Sequence, residues 1–233
     1  MSSRAALCVI VAAALGCATT GTDPHDMSVA EHEQAARQED EEAARHRAHY
    51  DRDAWRADGT ACSTYCFNTW SNPTSEHARE ARQRRVAAAK HRSASQALRD
   101  AEARSCDGIP ERDRDVSPFF HVQDIEKIER VAEDDASATY LIWFSPVGGL
   151  DAPGMQTLLD CHLARNAVLG HEAKDMDYCP LVPANVKASA EQRGPGLRVR
   201  IEVRGGESVA AVRDRIRVLE ARLAERRPAT ELR

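Results

Sequence analysis

The sequence predicts an α+β protein, in which a long antiparallel helical hairpin precedes a two-layer ββα-ββα domain with a four-stranded antiparallel sheet. Residues 28–56 and 75–105 contain no Gly or Pro and are rich in the strong helix formers Ala, Glu, Gln and Arg. After residue 124 the pattern of strand, turn, strand, Gly-Gly and helix occurs twice. Two such units can form one antiparallel sheet with both helices on the same face.

The N-terminus predicts export and a lipid anchor. Residues 1–16 have the basic start and the apolar run of a signal peptide, and Cys17 follows in a context that resembles a bacterial lipobox. We expect Cys17 to begin the mature chain and to carry palmitate-type acyl chains that hold it in a membrane. Ala18 at the next position predicts the outer membrane, with the soluble part in the periplasm. The small polar residues 17–27 predict a tether. An ordinary secretory signal, cleaved near Ala18, is the alternative.

The predicted hairpin covers residues 28–105. Ser28 and Glu31 form a capping-box pattern at its start. Residues 23–58 include 11 acidic and 5 basic side chains, whereas residues 75–104 include 4 acidic and 8 basic ones. These opposite charges favour antiparallel pairing of the two helices. The predicted seam positions alternate three and four residues apart, as in a coiled coil. They are Val29, His32, Ala36, Glu39, Ala43, His46 and Tyr50 in the first helix, and His77, Ala81, Arg84, Ala88, His91, Ser95 and Leu98 in the second.

Histidines recur 14 residues apart in both predicted helices, which places them on one face of the seam. Facing helices that present imidazoles can bind copper, zinc or haem. Near the loop, His46 and His49 are i, i+3 neighbours that His77 can reach, and His91 lies further along the second helix. A polar, solvated seam without a metal is the alternative.

The hairpin has a predicted tip loop, residues 57–74, in which cysteines and aromatic residues gather. Five of the eleven aromatic residues of the chain lie in or beside it: Tyr50, Trp55, Tyr65, Phe67 and Trp70. We expect a small core fixed by a local disulfide, Cys62–Cys66, because so long a loop needs its own packing. The alternatives are an aromatic tip that contacts a ligand or partner, and a zinc site of Cys62, Cys66 and His77.

Residues 106–124 are rich in charge and turn signals and predict a linker to a domain at residues 125–226. The predicted strands of this domain are Ile125–Val131, Thr139–Phe144, Val186–Glu191 and Leu197–Val203, and its predicted helices are Met155–Leu169 and Ser208–Arg226. Residues 227–233 predict a disordered tail.

Five cysteines remain after the signal peptide and Cys17, and an oxidising compartment favours disulfides. Cys161 and Cys179 enclose a short segment and are the predicted pair, which leaves Cys106 free. The alternative is a Cu(I) site made of soft ligands in this region. Its candidate ligands are Cys161, His162, His171, Met176 and Cys179.

The net charge of −5 argues against nucleic-acid binding by bulk positive charge. The sequence has no P-loop, Rossmann, HExxH, GxSxG or EF-hand pattern. We therefore expect a non-enzymatic binding or scaffold module of the cell envelope, without a cofactor, whose partners are the membrane and an envelope protein. The alternative is a periplasmic metal-binding lipoprotein that holds copper or zinc with His and Cys or Met ligands.

Several phrases of the sequence are similar to a group of uncharacterised lipoproteins from myxobacteria-like bacteria. These phrases are NPTSEH, HRSASQALRDAEARSC, RDVSPFFH, DCHLARNAVLGH and YCPLVP, and they run through most of the mature chain. The resemblance implies a secreted, lipid-anchored protein with a helical N-terminal region. It implies no activity and assigns no functional residue.

Overall fold

The computed structural model describes residues 21–62, 65–173 and 175–226. The predicted signal peptide, the predicted lipidation site Cys17 and the predicted tail at 227–233 lie outside these residues. Within the described residues, none of the helices combines the length and the apolar character that crossing a membrane requires. The architecture is α+β, as predicted, with a helical hairpin, a two-stranded ribbon and a four-stranded antiparallel sheet.

The hairpin consists of α1 (Val29–His49) and α2 (Ser75–Ser105), which pack along one another in opposite directions. The predicted capping box begins α1: the Glu31 N–H donates to Ser28 Oγ, and the Ser28 N–H donates to Glu31 Oε2 at 2.8 Å. Most of the predicted seam is buried, which confirms the heptad-like pattern. The buried seam residues are Val29, His32, Ala36 and Ala43 in α1 and Ala81, Ala88, His91, Ser95 and Leu98 in α2.

Three ion pairs join acidic side chains of α1 to basic side chains of α2, as the opposite charges predict. They are Glu33–Arg99, Glu39–Arg84 and Asp40–Arg92. All three lie at the surface, so each contributes at most about 1 kcal/mol to stability. Their main effect is to favour one antiparallel register of the two helices.

The first helix ends at His49, earlier than the predicted residue 56, because the chain turns at a hydrogen-bonded corner. The Asp51 N–H donates to Thr74 Oγ1 at 3.0 Å, and the side-chain amide of Asn72 donates to the Asp51 carbonyl oxygen at 2.7 Å. These bonds join the two ends of the tip segment. The residues between them therefore form a separate element.

That element is a two-stranded antiparallel ribbon of β1 (Arg56–Cys62) and β2 (Cys66–Ser71). The predicted aromatic core at the tip is wrong, because Trp55, Tyr65 and Trp70 are 58%, 81% and 61% exposed. A two-stranded ribbon has no second layer against which large aromatic side chains could be buried.

The cysteines of the ribbon support a disulfide at its tip. Cys66 is disulfide-bonded, and its register partner across the ribbon is Cys62. The side chain of Cys62 lies outside the described part of the chain, so the Cys62–Cys66 bond stays a prediction. The alternative zinc site of Cys62, Cys66 and His77 is wrong, because a zinc ligand must be a thiolate and the sulfur of Cys66 is oxidised.

The elements of the second domain are β3 (Ile125–Glu133), β4 (Ser137–Phe144), α3 (Ala152–Val168), β5 (Val186–Arg193), β6 (Gly196–Arg204) and α4 (Gly206–Arg226). Its sheet has the strand order β3-β4-β6-β5, and all neighbouring strands are antiparallel. Alternate residues of the central strands, such as Tyr140, Ile142, Val199 and Ile201, are fully buried in one core with both helices. The opposite face carries Trp143 between two basic side chains. Both helices therefore lie on one face, as predicted.

A disulfide connects the hairpin to this domain. It joins Cys106, at the end of α2, to Cys161 in α3, with 4.5 Å between their Cα atoms. The predicted Cys161–Cys179 bond is therefore wrong, and so is the predicted free thiol at Cys106. Cys179 is a buried free thiol instead. The prediction failed because it separated the hairpin from the domain by a linker, whereas α2 packs directly against α3.

The segment predicted as a linker takes part in this packing. Phe119 is fully buried and its ring lies 6.0 Å from that of Phe144. Arg165 of α3 pairs with Glu102 of α2 at 2.9 Å and with Asp115 at 2.8 Å. The base of the hairpin is thus fixed to the domain by a covalent bond, by ion pairs and by apolar contacts.

Candidate metal centre

Two histidines and one glutamate come together at the end of the hairpin that adjoins the ribbon. His46 lies in the last turn of α1, whereas His77 and Glu80 lie in the first turns of α2. The antiparallel packing of the two helices brings the three side chains to one place, where their ligand atoms lie within 4.8 Å of one another.

The distances define a compact site. Nδ1 of His46 is 3.2 Å from Nδ1 of His77 and 2.6 Å from Oε2 of Glu80. The same carboxylate oxygen is 4.0 Å from Nδ1 of His77. The three side chains are partly exposed, so an ion from solution can reach them.

This spacing fits a tetrahedral metal ion. Two nitrogen ligands at about 2.0–2.1 Å from Zn²⁺ are about 3.3 Å apart at the tetrahedral angle, and the two imidazole nitrogens here are 3.2 Å apart. Oε2 of Glu80 lies closer to Nδ1 of His46 than to Nδ1 of His77, so the carboxylate must move toward His77 for the two distances to become equal. Imidazole and carboxylate groups are both ligands of Zn²⁺ and Cu²⁺.

The sequence predicted two of these three ligands. Glu80 is not among the predicted ligands, although it forms with His77 an i, i+3 HxxE pattern that is visible in the sequence. His49, also predicted at this end of the hairpin, places its ring 5.4 Å from the ring of His77. The cluster found among the described residues does not include His49.

His91, another predicted ligand, lies near the base of the hairpin and contacts His32 instead. Their Nδ1 atoms are 3.1 Å apart, and the residues are 6% and 0% exposed. Burial lowers the pKa of His91, the neighbouring His32 lowers it further, and Glu39 acts in the opposite direction. The two imidazoles therefore form a separate, buried pair.

The predicted Cu(I) ligand set of the second domain is not assembled, because the disulfide takes Cys161. His171 instead places Nδ1 at 2.9 Å from the carbonyl oxygen of Val182. Nε2 of His162 is 3.3 Å from Sγ of Cys179. Burial raises the pKa of the Cys179 thiol to about 11 and lowers the pKa of His162 to about 4. They form a neutral buried pair, and not the thiolate–imidazolium pair that nucleophilic chemistry requires.

No family model matches the chain, and neither the curated proteins nor the solved structures contain a match. What the cluster can bind therefore follows from its ligand types and its geometry.

Proposed function

We propose that the protein is a lipid-anchored, non-enzymatic module of the cell envelope that binds a divalent transition metal ion, Zn²⁺ or Cu²⁺, with its helical hairpin. The observation that carries this proposal is the convergence of His46, His77 and Glu80 from two helices within 4.8 Å. The carboxylate supplies negative charge for a divalent ion. Three protein ligands leave the fourth tetrahedral position to water or to a partner group.

The same proposal places the partner surface on the neighbouring ribbon. Trp55, just before β1, and Trp70, in β2, are large, exposed aromatic side chains at the end of the ribbon that adjoins the hairpin, and Tyr65 is exposed at the opposite end. Exposed apolar groups of this kind mark interaction sites. A bound metal joins α1 to α2 at the end of the hairpin that carries the ribbon. Metal binding therefore stabilises the paired helix ends that carry this surface.

We expect His77→Gln to weaken Zn²⁺ binding roughly tenfold or more, a loss of at least about 1.4 kcal/mol of binding free energy, because one of three protein ligands is removed. Glu80→Gln should weaken binding as well, since a neutral amide does not balance the charge of the ion. Isothermal titration calorimetry of the full chain in detergent measures both effects.

His121→Gln is the matched control, because His121 is an exposed histidine outside the hairpin. This variant should bind Zn²⁺ as the wild-type chain does. Zn²⁺ should also raise the thermal midpoint of the helical signal in the wild type and not in His77→Gln. The proposal is contradicted if the wild type binds no Zn²⁺, or if the control loses as much affinity as His77→Gln.

Anchoring is expected to depend on Cys17. Cys17→Ser should leave an unprocessed precursor and abolish labelling by an alkyne fatty acid, because the lipoprotein signal peptidase needs a diacylated thiol. Metabolic labelling and membrane fractionation of the producing bacterium measure this, with Cys179→Ser as the control that stays labelled. A Cys17→Ser chain that matures and remains in the outer membrane refutes the lipobox.

A further inference from the structure

We propose that His32 and His91 form a second, buried metal site in the hairpin, which takes a soft monovalent cation of the Cu⁺ class. Ag⁺ is the redox-inert analogue of this ion. The inference goes beyond the proposed function, because the ligands, the charge of the ion and the location all differ from those of the divalent site.

The two imidazoles face each other across the seam. Their Nδ1 atoms are 3.1 Å apart, their ring centroids are 5.4 Å apart, and their planes are inclined by 47°. His32 is 0% and His91 is 6% exposed. A cation held between these nitrogens is therefore shielded from water on both sides of the seam.

The hydrogen-bond partners of the His32 ring indicate that its Nδ1 atom presents a lone pair to His91. Nε2 of His32 lies 3.4 Å from the carbonyl oxygen of Pro24, and a carbonyl only accepts, so this nitrogen carries the ring proton. Nδ1 of His32 is then an acceptor, and in the metal-free chain Nδ1–H of His91 donates to it. To bind a cation, His91 moves this proton to its own Nε2. The number of bound protons does not change, and both Nδ1 lone pairs face the ion.

The charge of the site favours a monovalent ion. Two neutral imidazoles offer no compensating charge, unlike the cluster at the other end of the hairpin. Because the cost of desolvating an ion grows with the square of its charge, a divalent ion in this buried seam costs about four times as much as a monovalent one. Glu39 favours a positive charge at His91 through space, but burial and His32 outweigh it. The surroundings therefore supply little charge to balance a second positive charge on the ion.

The coordination number points to the same class of ion. Cu⁺ and Ag⁺ are d¹⁰ ions that accept two ligands in line, whereas Zn²⁺ requires about four ligands. Two metal–nitrogen bonds of about 2 Å in line span about 4 Å, so the rings must move apart by about 1 Å from their 3.1 Å separation. Ala36 and Ala88 lie one helical turn from the pair and are small. The seam beside the pair is therefore lined by small side chains at these two positions.

The first test is a titration of the full chain in detergent with Ag⁺, followed by nitrogen-15 NMR of the histidine rings. We expect the Nδ1 signals of His32 and His91 to shift together, while both Nε2 signals have N–H character. Zn²⁺ should instead shift the signals of His46 and His77. The inference is overturned if Ag⁺ shifts only the His46 and His77 signals, or no histidine signal.

The second test uses reciprocal variants in equilibrium dialysis. His91→Gln should lose one bound Ag⁺ per chain and keep Zn²⁺ binding, whereas His77→Gln should lose Zn²⁺ and keep that Ag⁺. A helical His91→Gln chain with full Ag⁺ binding overturns the inference, and if this variant does not fold, the NMR titration of the wild type decides. A wild type that binds Ag⁺ at the pair but no Zn²⁺ supports the inference and contradicts the proposed function. The reverse result contradicts the inference alone.

Discussion

Replacing Cys106 and Cys161 together by Ser is expected to lower the free energy of unfolding by about 4 kcal/mol. The bond spans a sequence separation of 55 residues, and the entropy that it removes from the unfolded chain grows with the logarithm of the loop length. It also connects the two parts of the molecule, so its loss should let the base of the hairpin separate from α3 first. Urea unfolding followed by circular dichroism measures the change, and non-reducing peptide mapping of the wild type identifies the pair.

Cys179→Ser is the matched control, because it changes an equally buried cysteine without touching this disulfide. It should cost clearly less than the double replacement. Both bonded cysteines are replaced together, since a single replacement leaves a thiol that can form a new pair. Two results contradict the prediction: a peptide map that joins Cys161 to Cys179, or a double replacement that costs no more than the control.

The elements that could be predicted from the sequence are those whose signal is local. The second helix was predicted over the residues that it occupies, because a run of strong helix formers between Pro73 and Gly108 determines it. The first helix stops early because of the bond between Asn72 and Asp51, residues 21 positions apart. No local pattern contains such a contact. The ribbon was missed for the same reason, since its strands are short and are set by their mutual pairing.

In the same way, the histidines of the candidate site could be predicted from local patterns, whereas the disulfide depends on a long-range contact. Seam periodicity and opposite helix charges set the register closely enough to bring His46 and His77 together. The HxxE spacing would have added Glu80. The disulfide could not be found this way, because Cys161–Cys179 was predicted only from the short segment that these two cysteines enclose. The observed pair depends on α3 packing against the end of α2, a tertiary contact that favours Cys106.

The free energy of unfolding is expected to fall by about 3 kcal/mol between about pH 7 and about pH 4 because of His162 alone. Burial lowers the pKa of this side chain to about 4, and the backbone of Arg114 and the charge of Asp115 oppose the shift only in part. A histidine in the unfolded chain has a pKa of about 6.5. The folded chain therefore binds this proton more weakly than the unfolded chain does. The stabilising contribution is complete above about pH 6.5 and is lost as the pH falls from there to about 4.

The contribution of His162 can be measured from how steeply the free energy of unfolding changes with pH in the wild type and in His162→Gln. One proton taken up on unfolding corresponds to a slope of about 1.4 kcal/mol per pH unit in the free energy of unfolding. Between about pH 6.5 and about pH 4.5, this slope should be smaller in His162→Gln than in the wild type by up to that amount. Urea unfolding at a series of pH values measures it. Carboxylates with a lowered pKa, such as Glu31 and Glu133, lose their contribution at lower pH and do so equally in both chains. His121→Gln, which changes an exposed histidine, should keep the wild-type slope. Equal slopes for His162→Gln and the wild type would show that His162 is not held neutral in the core, and that its pairing with Cys179 is not the neutral one.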